Sequence, residues 1–411
     1  MKRNIDIINI REGIYTLSIN NVLLHSKYNP IKEAEKFIES NIDKIRNIKN
    51  IVVYGIGLGY HLKAMLNIIN EDCNIFAFDA DMEVIKKSNE LKMLDELKND
   101  KRVHLFCGFS KEFLINLSEK MNLVEDIIIY KPSVRTLSPE YENLIIILNS
   151  YEISKIGIMR YGEKLKENYN NNLLENYHNF KEFLDTKQFN DKPIVIAAGG
   201  PSLEEVLVDL KTNRDKFYVF SLGRTIDILM KNGIKPDIMS IIDPDDIVYD
   251  QIKDYINLDI PLCFLSTACN KAVKNYMGPK YMFFNDKDDS NRDGIIVRTG
   301  KSVAVATLDI AIKSGVKKVI LAGQDLAYIN NKSHAGDNEE DKDNSFVEGI
   351  KKVLGINGEM LSTTSVLLGF KRNIEVLIDE NPKIQFINCS KGAKIKGTIE
   401  KEFKEIVIEL S

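Results

Sequence analysis

The sequence predicts an α/β fold made of two domains, each a mostly parallel sheet with helices on both faces. Three observations predict it. Short apolar, β-branched runs alternate with helical spacings through most of the 411 residues. Many of those runs stop at glycine or at a polar residue in a sharp turn. Two of the turns, at 55–59 and 199–200, are rich in glycine and lead from a strand into a helix.

At the start, residues 5–10, 14–19 and 22–25 alternate apolar and polar side chains, as a small sheet with one solvated face does. Pro30 precedes a helix over 31–42, with Ile31, Ala34, Phe37 and Ile38 as its apolar positions. The stretch 50–61 then reads strand, glycine turn, helix, and the next strand ends at Asp79. A glycine-rich turn with an acidic residue about twenty positions on is the pattern of nucleotide or S-adenosylmethionine sites. Gly55, Gly57 and Gly59 would open that turn and Asp79 would meet a ribose. The same pattern also suits a Rossmann-like domain that keeps its shape without a ligand. Strands at 103–106 and 126–130 complete this first domain, over residues 1–140.

Residues 141–185 turn helical and polar. The run 160–183, with Asn168, Asn170, Asn171 and Asn172 in its middle, reads as a solvated connecting helix. The second domain, 186–411, opens on an apolar strand at 194–198 that breaks at Gly199, Gly200 and Pro201. Ser202 has the N-cap residue type and Glu205 would close a capping box. Leu203, Val206, Leu207 and Leu210 follow at helical spacing. Free N–H groups and the positive end of the dipole at such a helix start favour an anion, typically a phosphate.

The same alternation continues to the end. Strands at 217–221, 236–242, 261–265, 281–284, 318–322 and 384–387 end near Gly223 and Arg224, Asp243, Gly323 to Asp325, and Asn388. Gly300 and Ser302 stand at another helix start. In a mostly parallel sheet these positions share one rim, where ligands bind. Core packing has no need of polar residues there.

Composition excludes several classes. Hydrophobic residues are 44% and charged residues 28%, ordinary for a globular protein, and the net charge of −4 argues against a general nucleic-acid surface. No apolar stretch approaches the ~20 residues that cross a bilayer, and Asp6, Arg11 and Glu12 interrupt any signal-peptide core. The expectation is a cytoplasmic protein with no membrane partner. Five cysteines without a C-x-x-C pair or a Cys/His cluster read as reduced thiols.

Five separated motifs resemble the bacterial motility accessory factor (Maf) flagellin glycosyltransferases. They are Ala198 to Leu203, Gly233 to Asp237 with Asp243 and Pro244, Ser302 to Ala304, Gly323 to Tyr328 with Ser333 to Ala335, and Gly392 to Thr398. The central domain of that family resembles bacterial sialyltransferases. The stretch 55–60 is similar to the family's N-terminal domain. Family members often carry a further C-terminal helical domain, whereas this sequence stops at Ser411, soon after the last motif.

The resemblance implies a sialyltransferase-like catalytic domain that moves a nonulosonic acid from its CMP conjugate to Ser or Thr of flagellin. A nucleotide leaving group needs N–H donors and cationic or hydroxyl partners, since charge develops on its phosphate. Gly199, Gly200, Pro201 and Ser202 are candidates for cradling the nucleotide, with Gly223, Arg224, Gly300, Ser302, Gly323, Gln324 and Asn388 completing the pocket. The acceptor hydroxyl needs a general base. His334 is the candidate, as the one histidine in a loop leading from the rim. Asp325 and Asp243 are the alternatives, as base or as groups positioning the sugar, and Tyr328 would donate to the departing phosphate. The acidic stretch 336–344 lacks the spacing of a calcium loop, so no cofactor is expected and no metal is assigned. A related resemblance, to archaeal hydroxymethyl-dihydropterin pyrophosphokinases, implies ATP chemistry at the same rim. A non-catalytic nucleotide- or flagellin-binding protein is the third reading.

Overall fold

The structure, a computed structural model, describes residues 3–124, 126–186, 189–329 and 351–410. The chain forms two units, Met1–Asn149 and Ser150–Ser411.

In the first unit, strands Ile5–Arg11, Ile14–Ile19 and Val22–Leu23 form a three-stranded antiparallel sheet. A four-stranded parallel sheet follows, in the spatial order Val103–Cys107, Asn74–Asp79, Asn50–Tyr54, Ile127–Ile129. The chain therefore steps outward on one side of Asn50–Tyr54 and returns on the other. Ile51, Val53, Ile75 and Ala77 pack with Leu62 and Met65 of the helix Tyr60–Leu66.

The second unit holds a nine-stranded sheet, parallel throughout. From Ile194–Ala197, strands Tyr218–Leu222, Ile238–Ile241, Leu262–Leu265, Lys280–Phe283 and His178–Asn179 extend to one side. Lys318–Ala322, Gln385–Asn388 and Ile399–Glu400 extend to the other. The apolar run at 194–197 is continuous because both sheet faces are covered. Ile194 and Ile196 face one core, and Val195 and Ala197 face the other with Leu203, Val206 and Leu210. Helix Val303–Lys313, buried from Ala304 to Ala311, lies between three of these strands and the helix Ser365–Asp379.

Among the described residues no helix is long and apolar enough to cross a membrane. All five cysteines are free, and only Cys107 is exposed.

Candidate functional site

Strand order locates the crevice. In the second unit the order reverses between Ile194–Ala197 and Lys318–Ala322, and ligands of open parallel sheets bind outside the carboxyl ends at such a reversal. The two turns that meet there are Ala198 to Ser202 and Gly323 to Asp325. They touch directly: the Gly200 N–H donates to the Gly323 carbonyl at 2.8 Å. A side chain at Gly200 would strike that carbonyl, with only 2.5 Å between its Cβ and the oxygen, and would also strike the Asp325 carboxylate.

Asp325 joins the two turns. One carboxylate oxygen accepts from the Ser202 N–H at 3.0 Å, and the other from the Ser202 hydroxyl at 2.6 Å and from the Lys391 N–H at 3.1 Å. Its own carbonyl accepts from Ala393 N–H at 2.7 Å, and Gly392 is bare because Asp325 backbone fills the place of its side chain. Burial raises the Asp325 pKa, while hydrogen bonds from Ser202, Lys391 and Gly392 pull it back. This corrects one expectation: Ser202 makes no capping bond, because its hydroxyl and amide both go to Asp325. Asp325 itself is a staple between loops.

Other expected residues group around this staple. The Arg224 side chain lies over Gly199, with its Cδ only 3.1 Å from where a Cβ would stand. Asp243 keeps solvent contact, yet protein crowds it enough for desolvation to raise its pKa, with the Arg224 guanidinium pulling it back. Ala198 and Leu222 pack against Val303 and Ala304, which brings the first turn of the helix Val303–Lys313 to the same strand ends. Ser302 sits at the N-cap of that helix but makes no side-chain cap bond. The helix start thus faces the crevice without a capping side chain, and its dipole suits an anion. Gln324 N–H donates to Ser390 Oγ at 2.7 Å, and Ser390 N–H donates to Asn388 Oδ1 at 3.0 Å.

At three other expected residues the structure shows packing and turn contacts. Gly223 gives clearance to the Ile241 side chain, and Gly300, at φ 49°, packs on Asn373. Asn388 is buried, and its carbonyl-side oxygen orders the Ser390 turn. Pro201 stands in the first turn, where its carbonyl accepts from Glu204 N–H. Tyr328 is half-buried and anchored by its N–H to the Ser362 carbonyl at 2.8 Å. His334 and the acidic stretch 336–344 lie outside the described residues. Among the described residues no cluster of His, Cys, Asp and Glu has the makings of a metal site.

Sequence reasoning missed the residues that hold the rim from below. The polar helix expected to be solvated has one buried edge. In the helix Glu142–Leu174, Asn168 and Asn172 are buried. Asn168 donates to the Pro244 carbonyl at 2.9 Å and accepts from Asn270 N–H at 3.2 Å. Asn172 donates to the carbonyls of Ser266 and Ala268 at 3.0 and 2.9 Å. Lys164, one turn earlier on that helix, reaches Asp246 at 3.3 Å. The loop carrying Asp243 is therefore clamped from the helix, and Asn at 168 and 172, four apart, was the available signal.

The glycine turn of the first unit differs. Its five N–H groups all find acceptors inside the unit. Gly55 donates to Phe78 O, Ile56 and Gly57 to the Asp79 carboxylate at 2.8 and 3.2 Å, Leu58 to His25 Nε2 at 3.1 Å, and Gly59 to Ile56 O. Asp79 thus holds the turn, its other oxygen accepts from the Asp81 N–H at 3.0 Å, and the side chain is buried rather than open to a ribose, which corrects that expectation. Its burial pushes its pKa up to about 6.

A family model described as 6-hydroxymethylpterin diphosphokinase MptE-like matches residues 165–331. A comparison with curated proteins finds no match. Among solved structures, the chain has the fold of the MAf glycosyltransferase from Magnetospirillum magneticum AMB-1, with TM-score 0.53 and 15% identity over 98% of this chain and 71% of that one. A second similarity, at 15% identity, is to the sialyltransferase CstII from Campylobacter jejuni, solved with a substrate analogue, cytidine-5'-monophosphate. It covers 51% of this chain and 85% of that one with TM-score 0.24, too low for argument.

Proposed function

We propose that the chain is a glycosyltransferase that moves a nonulosonic acid from its CMP conjugate to Ser or Thr of flagellin in the cytoplasm. The observation that carries this reading is the crevice where the strand order reverses, bounded by the Gly199–Gly200 turn, Arg224 and the uncapped start of the helix Val303–Lys313. A cation and a helix N-terminus beside bare glycine backbone suit a nucleotide phosphate. The fold shared with a MAf glycosyltransferase supports the same choice.

In this mechanism the acceptor hydroxyl attacks the anomeric carbon of the sugar as the bond from that carbon to the phosphate oxygen breaks. His334 takes the hydroxyl proton. CMP departs with the bonding electrons, and Arg224 and the helix start stabilise the negative charge it gains. Asp243, whose charge the Arg224 guanidinium favours, orients the sugar, and Tyr328 donates to the departing phosphate. Asp325 keeps the two turns in register and does not exchange protons with substrate. No step is assigned to a metal.

The match to the diphosphokinase model over 165–331 favours a second reading, ATP-dependent diphosphoryl transfer at the same rim. Titration of CMP, CMP-sialic acid and ATP separates them: tight CMP binding is expected, and preference for ATP, or no nucleotide binding, overturns the first reading. The decisive assay is co-expression with a candidate flagellin and a CMP-nonulosonate supply, followed by mass spectrometry of Ser and Thr peptides. A mass increase is expected, and His334→Ala should lower it at least 100-fold; undiminished transfer by that variant removes His334 as the base.

A further inference from the structure

Asp325 holds one side of the Gly199–Gly200 turn, and Thr225 holds the strand end on its other side. The strand Tyr218–Leu222 lies parallel to Ile194–Ala197, with Ser221 beside Ala197. Beyond Leu222 the chain makes a single turn of 3-10 helix, Gly223–Thr225, before the helix Ile226–Lys231. So tight a turn carries the side chain of its last residue back onto the strand ends.

Thr225 is buried, and its hydroxyl is fully used. It accepts from the Leu222 N–H at 3.0 Å, which closes a short loop around Gly223 and Arg224. It donates to the Ala197 carbonyl at 2.9 Å, with the Leu222 carbonyl at 3.2 Å as second acceptor of the same proton. One hydroxyl therefore links the ends of two neighbouring strands. On the opposite side, Gly223 lets the loop press on the strand Ile238–Ile241, since a Cβ there would stand 2.9 Å from the Ile241 side chain. The loop is pinned to one neighbouring strand through Thr225 and to the other through Gly223.

Arg224 lies between these two pins. Ala197 stands two residues before Gly199, so the Thr225 bond fixes where the Arg224 side chain starts relative to the glycine turn. That side chain crosses Gly199, with Nε only 3.3 Å from where a Cβ would stand. On its far side Ile241 leads to Asp243, on whose carboxylate the Arg224 charge acts. An arginine side chain has many rotamers, and ordering it when a ligand arrives costs affinity. A cation already aimed by its backbone avoids part of that cost and meets the developing charge without rearrangement.

We infer that Thr225 is a positioning residue of the nucleotide site: its hydroxyl, bonded to the Ala197 carbonyl and the Leu222 N–H, holds the Arg224 guanidinium over the Gly199 turn to meet the donor phosphate. The inference rests on the proposed glycosyltransferase reading and adds to it a residue that touches no substrate. Thr225 acts on the nucleotide through Arg224, so loss of its hydroxyl matters only while Arg224 is present.

The test is a mutant cycle in the full chain. Thr225→Val and Thr225→Ala remove the hydroxyl, the first at nearly constant volume, and Thr225→Ser retains it. Each is made alone and together with Arg224→Ala. Affinity for CMP is read by calorimetry, with the thermal unfolding of each chain recorded so that loss of fold is told apart from loss of affinity. Thr225→Val and Thr225→Ala should weaken CMP binding about 10-fold, and Thr225→Ser by less than about threefold. In the Arg224→Ala chain the same two changes should cost no more than about twofold further, the non-additivity of residues that act by one route. A full further loss in that background overturns the inference, because the hydroxyl then shapes the crevice rather than the cation. Affinity left unchanged by both Thr225→Val and Thr225→Ala overturns it too. A parent chain that prefers ATP to CMP, or binds neither, brings down the glycosyltransferase reading itself, a distinguishable failure.

Discussion

The two glycine turns occupy equivalent places: each follows the strand of its parallel sheet at which strand order reverses. Their fates diverge through what lies opposite. In the first unit Asp79, at the end of the adjacent strand, and His25 reach into the turn and accept from Ile56, Gly57 and Leu58. In the second unit Asp325 stands across the strand reversal and accepts from Ser202 and from the far loop at Lys391 and Gly392. Gly199 carries no such plug; what lies over it is the Arg224 side chain. A carboxylate placed inside the turn closes it, whereas a carboxylate beside it ties the walls together and leaves a cation at the opening. Equivalent topology therefore does not make an equivalent site.

The largest effect should come from adding a methyl group to each turn. Gly200→Ala drives a Cβ into the Gly323 carbonyl, a backbone atom that cannot step aside. It should weaken CMP binding at least 100-fold by calorimetry. Gly57→Ala meets the His25 ring, and its φ of 52° costs an L-residue roughly 1–2 kcal/mol more. It should reduce hydrogen-exchange protection of the first unit's strands while CMP affinity stays within twofold. Loss of CMP binding in Gly57→Ala would mean that the first turn is a nucleotide site after all.

Much of this was legible in the sequence, and the boundary has a physical cause. The strands at 50–54 and 194–197 are continuous apolar runs, so local composition marks them. Glycines at 55, 57 and 59 adopt positive φ, as their residue type allows. The fate of the turn amides was not legible, because the deciding partners lie far away along the chain: Asp325 is 123 residues from Ser202, and His25 is 33 from Leu58. The Ser202–Glu205 spacing promised a capping box, but the buried Asp325 carboxylate takes the Ser202 N–H that Glu205 would have accepted, and takes the Ser202 hydroxyl as well. Asn168 and Asn172 looked like surface residues since their partners are main-chain carbonyls, which leave no trace in residue identity.

A smaller effect is expected from pH in the first unit. His61 is buried, donates to the Gly55 carbonyl at 2.8 Å and stacks on Tyr130, and burial pulls its pKa down to about 4. A depressed imidazole contributes stability above its ordinary value near 6.5 and loses it as pH falls toward 4, roughly 3 kcal/mol in all. His25, buried beside it with its pKa well below the ordinary value, acts in the same direction. Asp79, raised to about 6, acts oppositely: its contribution is complete below 3.8 and is lost as pH rises through 6. Falling pH from 6.5 to 4.5 should therefore destabilise the parent unit, and His61→Phe should flatten that dependence. An unaltered slope, followed by hydrogen exchange, would remove His61 from the balance.

The smallest effect tests whether the second turn works because its surroundings are held. Asn168 has no counterpart at the first turn; it bonds the carbonyl of Pro244, next to Asp243, from a helix beneath the rim. Asn168→Asp preserves shape but replaces the donating amide with a carboxylate facing that carbonyl, so the loop should move away by repulsion. A buried hydrogen bond lost with its acceptor left unsatisfied costs about 1–3 kcal/mol, most of it as displacement of an exposed loop rather than global unfolding. CMP affinity should fall about 3- to 10-fold, with Asn168→Ala intermediate, since alanine removes the donor without adding repulsion. Equal affinity in all three chains would show that the crevice holds its form without the clamp, and would reduce the contrast between the two turns to Asp79, His25 and Asp325 alone.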